Sequence, residues 1–106
     1  MVEINIYEDF TDTPGARTYE DGEFSGQEFF DKLLLPKYEE AVNKNEKLQI
    51  NLDGTNGYAS SFLNEAFSRL GNKFNPETVW NNLIVISNEV PKYIDKVKDS
   101  IYEKRK

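Results

Sequence analysis

The stretch Lys47-Leu48-Gln49-Ile50-Asn51-Leu52-Asp53-Gly54-Thr55-Asn56-Gly57-Tyr58-Ala59-Ser60-Ser61-Phe62-Leu63-Asn64-Glu65-Ala66-Phe67 decides the fold. Leu48, Ile50 and Leu52 alternate with polar residues, the period of a strand with one buried face, and Gly54 stops the pattern. A glycine-punctuated loop follows, and from Phe62 the apolar residues recur at helical spacing through Leu63, Ala66, Phe67 and Leu70. Ser60 or Ser61 is the expected helix N-cap and Gly71 the expected C-cap. Strand, loop and helix in this order make an α/β unit.

Both flanks repeat the alternation. Toward the N-terminus, Val2 to Tyr7 alternates as a strand and Pro14-Gly15 marks a turn, with a short second strand expected over Ala16 to Tyr19. Ser25-Gly26-Gln27-Glu28 has the spacing of a capping box. The helix it opens carries Phe29, Phe30, Leu33, Leu34, Tyr38, Ala41 and Val42 on one stripe. Pro36 predicts a kink, or a break with a second helical piece beginning there, and the helical region is expected to end near 43–45. Toward the C-terminus, Asn75-Pro76-Glu77 opens a short helix reaching about Asn81. Leu83-Ile84-Val85-Ile86 reads as a strand buried on both faces, and Pro91 opens a final helix with Val90, Ile94, Val97 and Ile101 on one stripe. The expectation is one α/β domain over residues 1–106, with a mixed, mostly parallel sheet of about four strands packed with helices.

Composition narrows the function. The 106 residues include 13 Lys plus Arg against 19 Asp plus Glu, a formal net charge of −6 that disfavours nucleic acid and anionic membrane. With no His and no Cys, a Ser-His-Asp triad, a cysteine nucleophile, a Cys/His zinc site and a disulfide framework are excluded. The opening Met1-Val2-Glu3-Ile4-Asn5-Ile6 lacks the pattern of a signal peptide, and no apolar run is long enough to span a bilayer. A cytoplasmic protein that requires no cofactor or metal is expected. Charge is uneven: the last 16 residues hold six basic and three acidic side chains, so the acidity lies in the preceding body.

The loop and helix start between Asp53 and Phe67 carry the candidate chemistry, because ligands and partners of α/β sheets sit beyond the carboxyl ends of the strands. Asp53, Tyr58, Ser60, Ser61, Phe62 and Glu65 are the candidate partner-binding or phospho-acceptor residues. The loop is no EF-hand, since its twelfth position is Asn64 and its glycine is misplaced, and no P-loop, since no Lys follows its glycines. Arg17 is the candidate anion-binding residue, with a structural salt bridge as the plainer role. Glu20, Asp21, Glu23 and Glu28 read as a solvated acidic face rather than an acid/base pair, and the basic end of the last helix complements its dipole.

Gly15-Ala16-Arg17-Thr18, Phe24-Ser25-Gly26-Gln27-Glu28-Phe29, the strand 48–53 and above all Ser60-Ser61-Phe62-Leu63-Asn64-Glu65-Ala66-Phe67 resemble the STAS-like family of small bacterial domains of unknown function, over about residues 14–90. That family is similar to the STAS domains of sulfate transporters and of anti-sigma-factor antagonists. The resemblance implies a small sheet packed with helices and a partner surface around the second helix. In the antagonists that surface is switched by phosphorylation of a serine. Their Asp-Ser-Ser-Gly pattern falls on Ala59-Ser60-Ser61-Phe62, placing Ser61 at the phospho-acceptor position, while Ala59 and Phe62 depart from it. The resemblance thus implies a non-enzymatic regulatory module binding a protein, such as a histidine-kinase-like ATPase. The alternative is a small-ligand or anion sensor using Arg17 with Ser60 and Ser61.

Overall fold

The computed structural model describes residues 1–105. Its elements run β1 (Val2–Asn5), α1 (Ile6–Asp9), a 3-10 turn (Tyr19–Asp21), α2 (Gly26–Phe29), a π-helical segment (Phe30–Leu34), α3 (Leu35–Asn43), β2 (Leu48–Asn51), α4 (Ser60–Lys73), α5 (Pro76–Asn81), β3 (Leu83–Ile86) and α6 (Lys92–Tyr102). The three strands form a parallel sheet in the order β1-β2-β3, with Val2 opposite Leu48 and Leu48 opposite Leu83.

This order explains the burial. Right-handed crossovers that always step the same way put their helices on one side of a sheet. On that side Val2, Ile4, Leu48, Ile50 and Leu83 are buried, while none of Glu3, Asn5, Gln49, Asn51, Ile84 and Ile86 on the other side is. The expectation that β3 is buried on both faces is therefore corrected. As an edge strand it has only its Leu83 and Val85 face turned to the core, and Ile84 and Ile86 are half-buried opposite.

The short strand expected over Ala16 to Tyr19 is not formed, and the sheet has three strands among the described residues. The carbonyls of Ala16 and Arg17 instead accept the N–H groups of Gly26 and Gln27, at 2.9 and 3.0 Å. They satisfy donors that a helix start leaves unpaired. β1 is likewise shorter than its alternation, because Asn5 caps α1, its Oδ1 accepting the N–H of Glu8.

Ser25 caps α2 as its spacing predicts, its Oγ accepting the N–H of Glu28 at 3.0 Å, while the Glu28 carboxylate pairs with Lys32 instead of closing the box. A second α-helical piece, α3, does begin beside Pro36, one residue earlier than expected, but the chain ahead of it stays helical as a π turn and does not break. The Leu35 N–H bonds to the Phe30 carbonyl, widening the ladder to a π turn just ahead of the proline, and the backbone stays helical through Leu34 and Leu35.

The core is continuous from the sheet to α4 and α6. Phe29 packs at its centre, 5.7 Å from the ring of Phe62 and 6.4 Å from that of Phe67. Gly71 does not end α4, which continues to Lys73. A Cβ at Gly71 would run into the Ile101 carbonyl, so its lack of a side chain is what brings α4 and α6 together. Gly26 does the same beneath the Phe62 carbonyl, where α2 meets the start of α4.

Candidate functional site

The segment from Asp53 to Ala59 leaves the carboxyl end of β2 and is tied down at nearly every residue. The Asp53 carboxylate accepts the N–H groups of Asn88 and Glu89 and the Asn88 amide, at 3.1, 2.9 and 3.2 Å. The Gly54 N–H donates to Glu89 at 2.7 Å. The loops after β2 and β3 are thereby laced together. The backbone donors of Glu89 and Asn88, against a smaller opposing effect of desolvation, hold the Asp53 carboxyl below the usual range. Asp53 is thus a loop-capping acid.

Gly54 and Gly57 have φ of +100° and +115°, a region that disfavours side chains, and both are closely backed, by Tyr7 and Tyr93 respectively. Tyr58 donates its hydroxyl to the Leu52 carbonyl at 2.8 Å, and its N–H donates to the Tyr93 hydroxyl at 3.1 Å. Burial raises the Tyr58 phenol far above its ordinary value, keeping it neutral. Asn56 and Ala59 donate their N–H groups to the Asp12 and Pro14 carbonyls, joining a third loop to the same end of the sheet.

α4 begins without a serine cap. Its N-cap is Ala59, with no side-chain hydrogen bond, so the expectation that Ser60 or Ser61 caps this helix is corrected. Both serines belong to the first turn, Ser60 exposed and Ser61 half-buried. Phe62 faces inward and is wholly buried among Phe10, Phe29 and Tyr58, so its side chain forms no part of an outer surface.

Glu65 is also inside, 3% exposed, yet charged. The chain's three arginines, Arg17, Arg69 and Arg105, all converge on it. Arg17 reaches Oε1 at 3.2 Å, Arg105 reaches Oε2 at 3.1 Å, and Arg69 reaches Oε2 from the next helical turn. Desolvation alone would push the Glu65 carboxyl up, but the combined hydrogen bonds and charge of Arg69, Arg105 and Arg17 outweigh it and hold the group below the usual range. Arg17 also donates to Asn64 at 2.9 Å. It is therefore a bridge to α4, held at Asn64, one helical turn after Ser60 and Ser61.

Asp53, Tyr58, Ser60 and Ser61 lie around one loop and helix start. Tyr93, Glu89 and Asn88, from the β3–α6 side, and Arg69 and Arg105 around Glu65 were not among the expected site residues. The signal for the arginines was available: three arginines on an acidic chain, one of them four residues after a glutamate on an apolar helix face. Among the described residues no cluster of three or more His, Cys, Asp or Glu could hold a metal ion, and no helix is long and apolar enough to cross a membrane.

The family model described as a STAS-like domain of unknown function (DUF4325) matches residues 25–93, more than half of the chain. The chain belongs to the STAS-like domain family. No curated protein and no solved structure matches it. The match takes in α2 through β3, and so includes the whole Asp53 to Glu65 segment and Arg69, while Arg17 and Arg105 lie outside it.

Proposed function

We propose that this STAS-like domain is a non-enzymatic regulatory module that binds a partner protein, a histidine-kinase-like ATPase of the kind that partners anti-sigma-factor antagonists, through the Asp53 to Ser61 loop and helix start. One observation carries the reading: Ser60 and Ser61 open α4 with hydroxyls that cap nothing, on a loop whose backbone is fixed from three directions. A rigid platform presenting serines free of structural duty suits recognition, since little freedom is lost on docking. Phosphate on Ser61 would add about −1.5 to −2 charges at the positive end of the helix dipole, changing the surface without unfolding the helix.

The test is binding of the purified domain to histidine-kinase-like ATPases encoded in the same genome, with Ser60→Glu and Ser61→Glu variants whose unfolding curves match the parent. Binding by the parent and its loss in the glutamate variants supports the reading. Absence of binding to every such ATPase, or equal binding by the variants, refutes it.

A further inference from the structure

On the α4 face that receives the C-terminal segment, two adjoining hollows of about 350 and 490 Å³ share Arg105 in their walls. Among the described residues their linings contain five cationic side chains, Arg17, Arg69, Lys73, Lys104 and Arg105, against two carboxylates, Glu65 and Glu103. This excess of positive charge stands on a chain whose formal net charge is −6.

The guanidiniums are oriented, not merely crowded. Buried Glu65 holds Arg69 by Nε and Arg105 by Nη2, and Ser68 accepts Nη1 of Arg105 at 2.9 Å. Asn72 fixes the backbone of this segment, its Oδ1 accepting the Arg105 N–H at 3.0 Å and its amide donating to the Glu103 carbonyl at 2.7 Å. Holding Arg69 by Nε leaves both of its Nη amines without a protein partner among the described residues. A carboxylate has about four acceptor sites for the fifteen N–H donors of three guanidiniums, so Glu65 cannot satisfy them. Arg69 and Arg105 side chains remain 28% and 36% exposed, open to a ligand from solvent.

We propose that this cluster is a binding site for the phosphate group of a small phosphorylated molecule, with Arg69 and Arg105 as the directional donors and Lys73 and Lys104 supplying charge. A planar guanidinium offers paired donors that match the oxygens of phosphate, and Glu65 prepays the ordering of both side chains. Neither Ser60 nor Ser61 lines either hollow, and the site does not depend on partner binding.

The experiment is a nitrogen-15 NMR titration, following backbone amides and arginine Nε–H signals, with inorganic phosphate, with glycerol phosphate and with sodium chloride at matched ionic strength. Saturable shifts confined to Ser68, Arg69, Asn72, Lys73 and Arg105 are expected, with affinity falling about tenfold or more in Arg69→Gln. Saturation with inorganic phosphate identifies a site for the free ion, and saturation with glycerol phosphate alone a site for a phosphomonoester. Lys73→Gln, which touches no part of the Glu65 cluster, gives a second reading of the same loss should Arg69→Gln fail to fold. Shifts that chloride reproduces, or unchanged affinity in the folded variants, overturn the proposal.

Discussion

Gly71 of α4 lies directly against the backbone carbonyl of Ile101 in α6, and no side chain fits between them. Alanine at a helix interior is intrinsically favoured over glycine by about 1 kcal/mol. Steric exclusion should reverse that sign, with Gly71→Ala losing about 1–3 kcal/mol as the two helices are forced apart. Urea unfolding measures the difference, and a stabilised variant would show that the helices part without penalty.

Glu65→Gln tests the arginine cluster. Removing one partner of a fully buried ion pair costs about 3–5 kcal/mol, and because these arginines are partly solvated a loss of about 2 kcal/mol is expected. The pH dependence has a definite sign. Glu65 is depressed in the folded state, so its stabilisation is fully present above the ordinary glutamate value near about 4.3 and fades as pH falls through the lower folded value. Acid unfolding curves of parent and variant should converge in that window, and a constant gap down to the lowest pH would contradict the assignment.

Two serines at helix starts should behave oppositely. Ser25→Ala removes a cap hydrogen bond and should cost about 0.5–2 kcal/mol. Ser61→Ala removes none and should stay within about 0.5 kcal/mol of the parent. Chemical denaturation of both proteins side by side decides it, and a large loss at Ser61 would place a cap where the structure has none.

Asp53→Asn keeps the shape of the loop brace but removes its charge, and should cost about 1 kcal/mol while freeing the β3–α6 connection. Hydrogen exchange at the Asn88 and Glu89 amides should quicken, with β2 itself unchanged. Unaltered exchange there would mean the brace is dispensable.

Much of the fold was legible because its elements follow strong local rules. Leu48, Ile50 and Leu52 alternate, Asn75-Pro76 opens α5 with an Asn cap, and the α6 stripe buries Val97 and Ile101. What escaped was decided between segments. The residues at 16–19 have a strand's composition, but the unpaired donors of α2 claim their carbonyls. Gly71 resembles a terminator in sequence and is a contact point in space, and Ile84 and Ile86 are apolar although their strand lies at an edge. At the candidate site the loop and serines were readable from spacing. In the Glu65 cluster single contacts bridge up to 48 positions, a relation that no local pattern carries.

That cluster also orders events in time. Glu65 is synthesised 40 residues before Arg105, its C-terminal partner. At about 5–20 residues per second, the growing chain holds this acid for about two to eight seconds before its third cation exists. A shorter interval, 30 residues, separates Gly71 on α4 from Ile101 on α6, which must be made before the two helices can meet. A nascent chain halted before residue 101 therefore exposes half of a helix pair and an incompletely neutralised acid together, a state in which chaperones and proteases would find it.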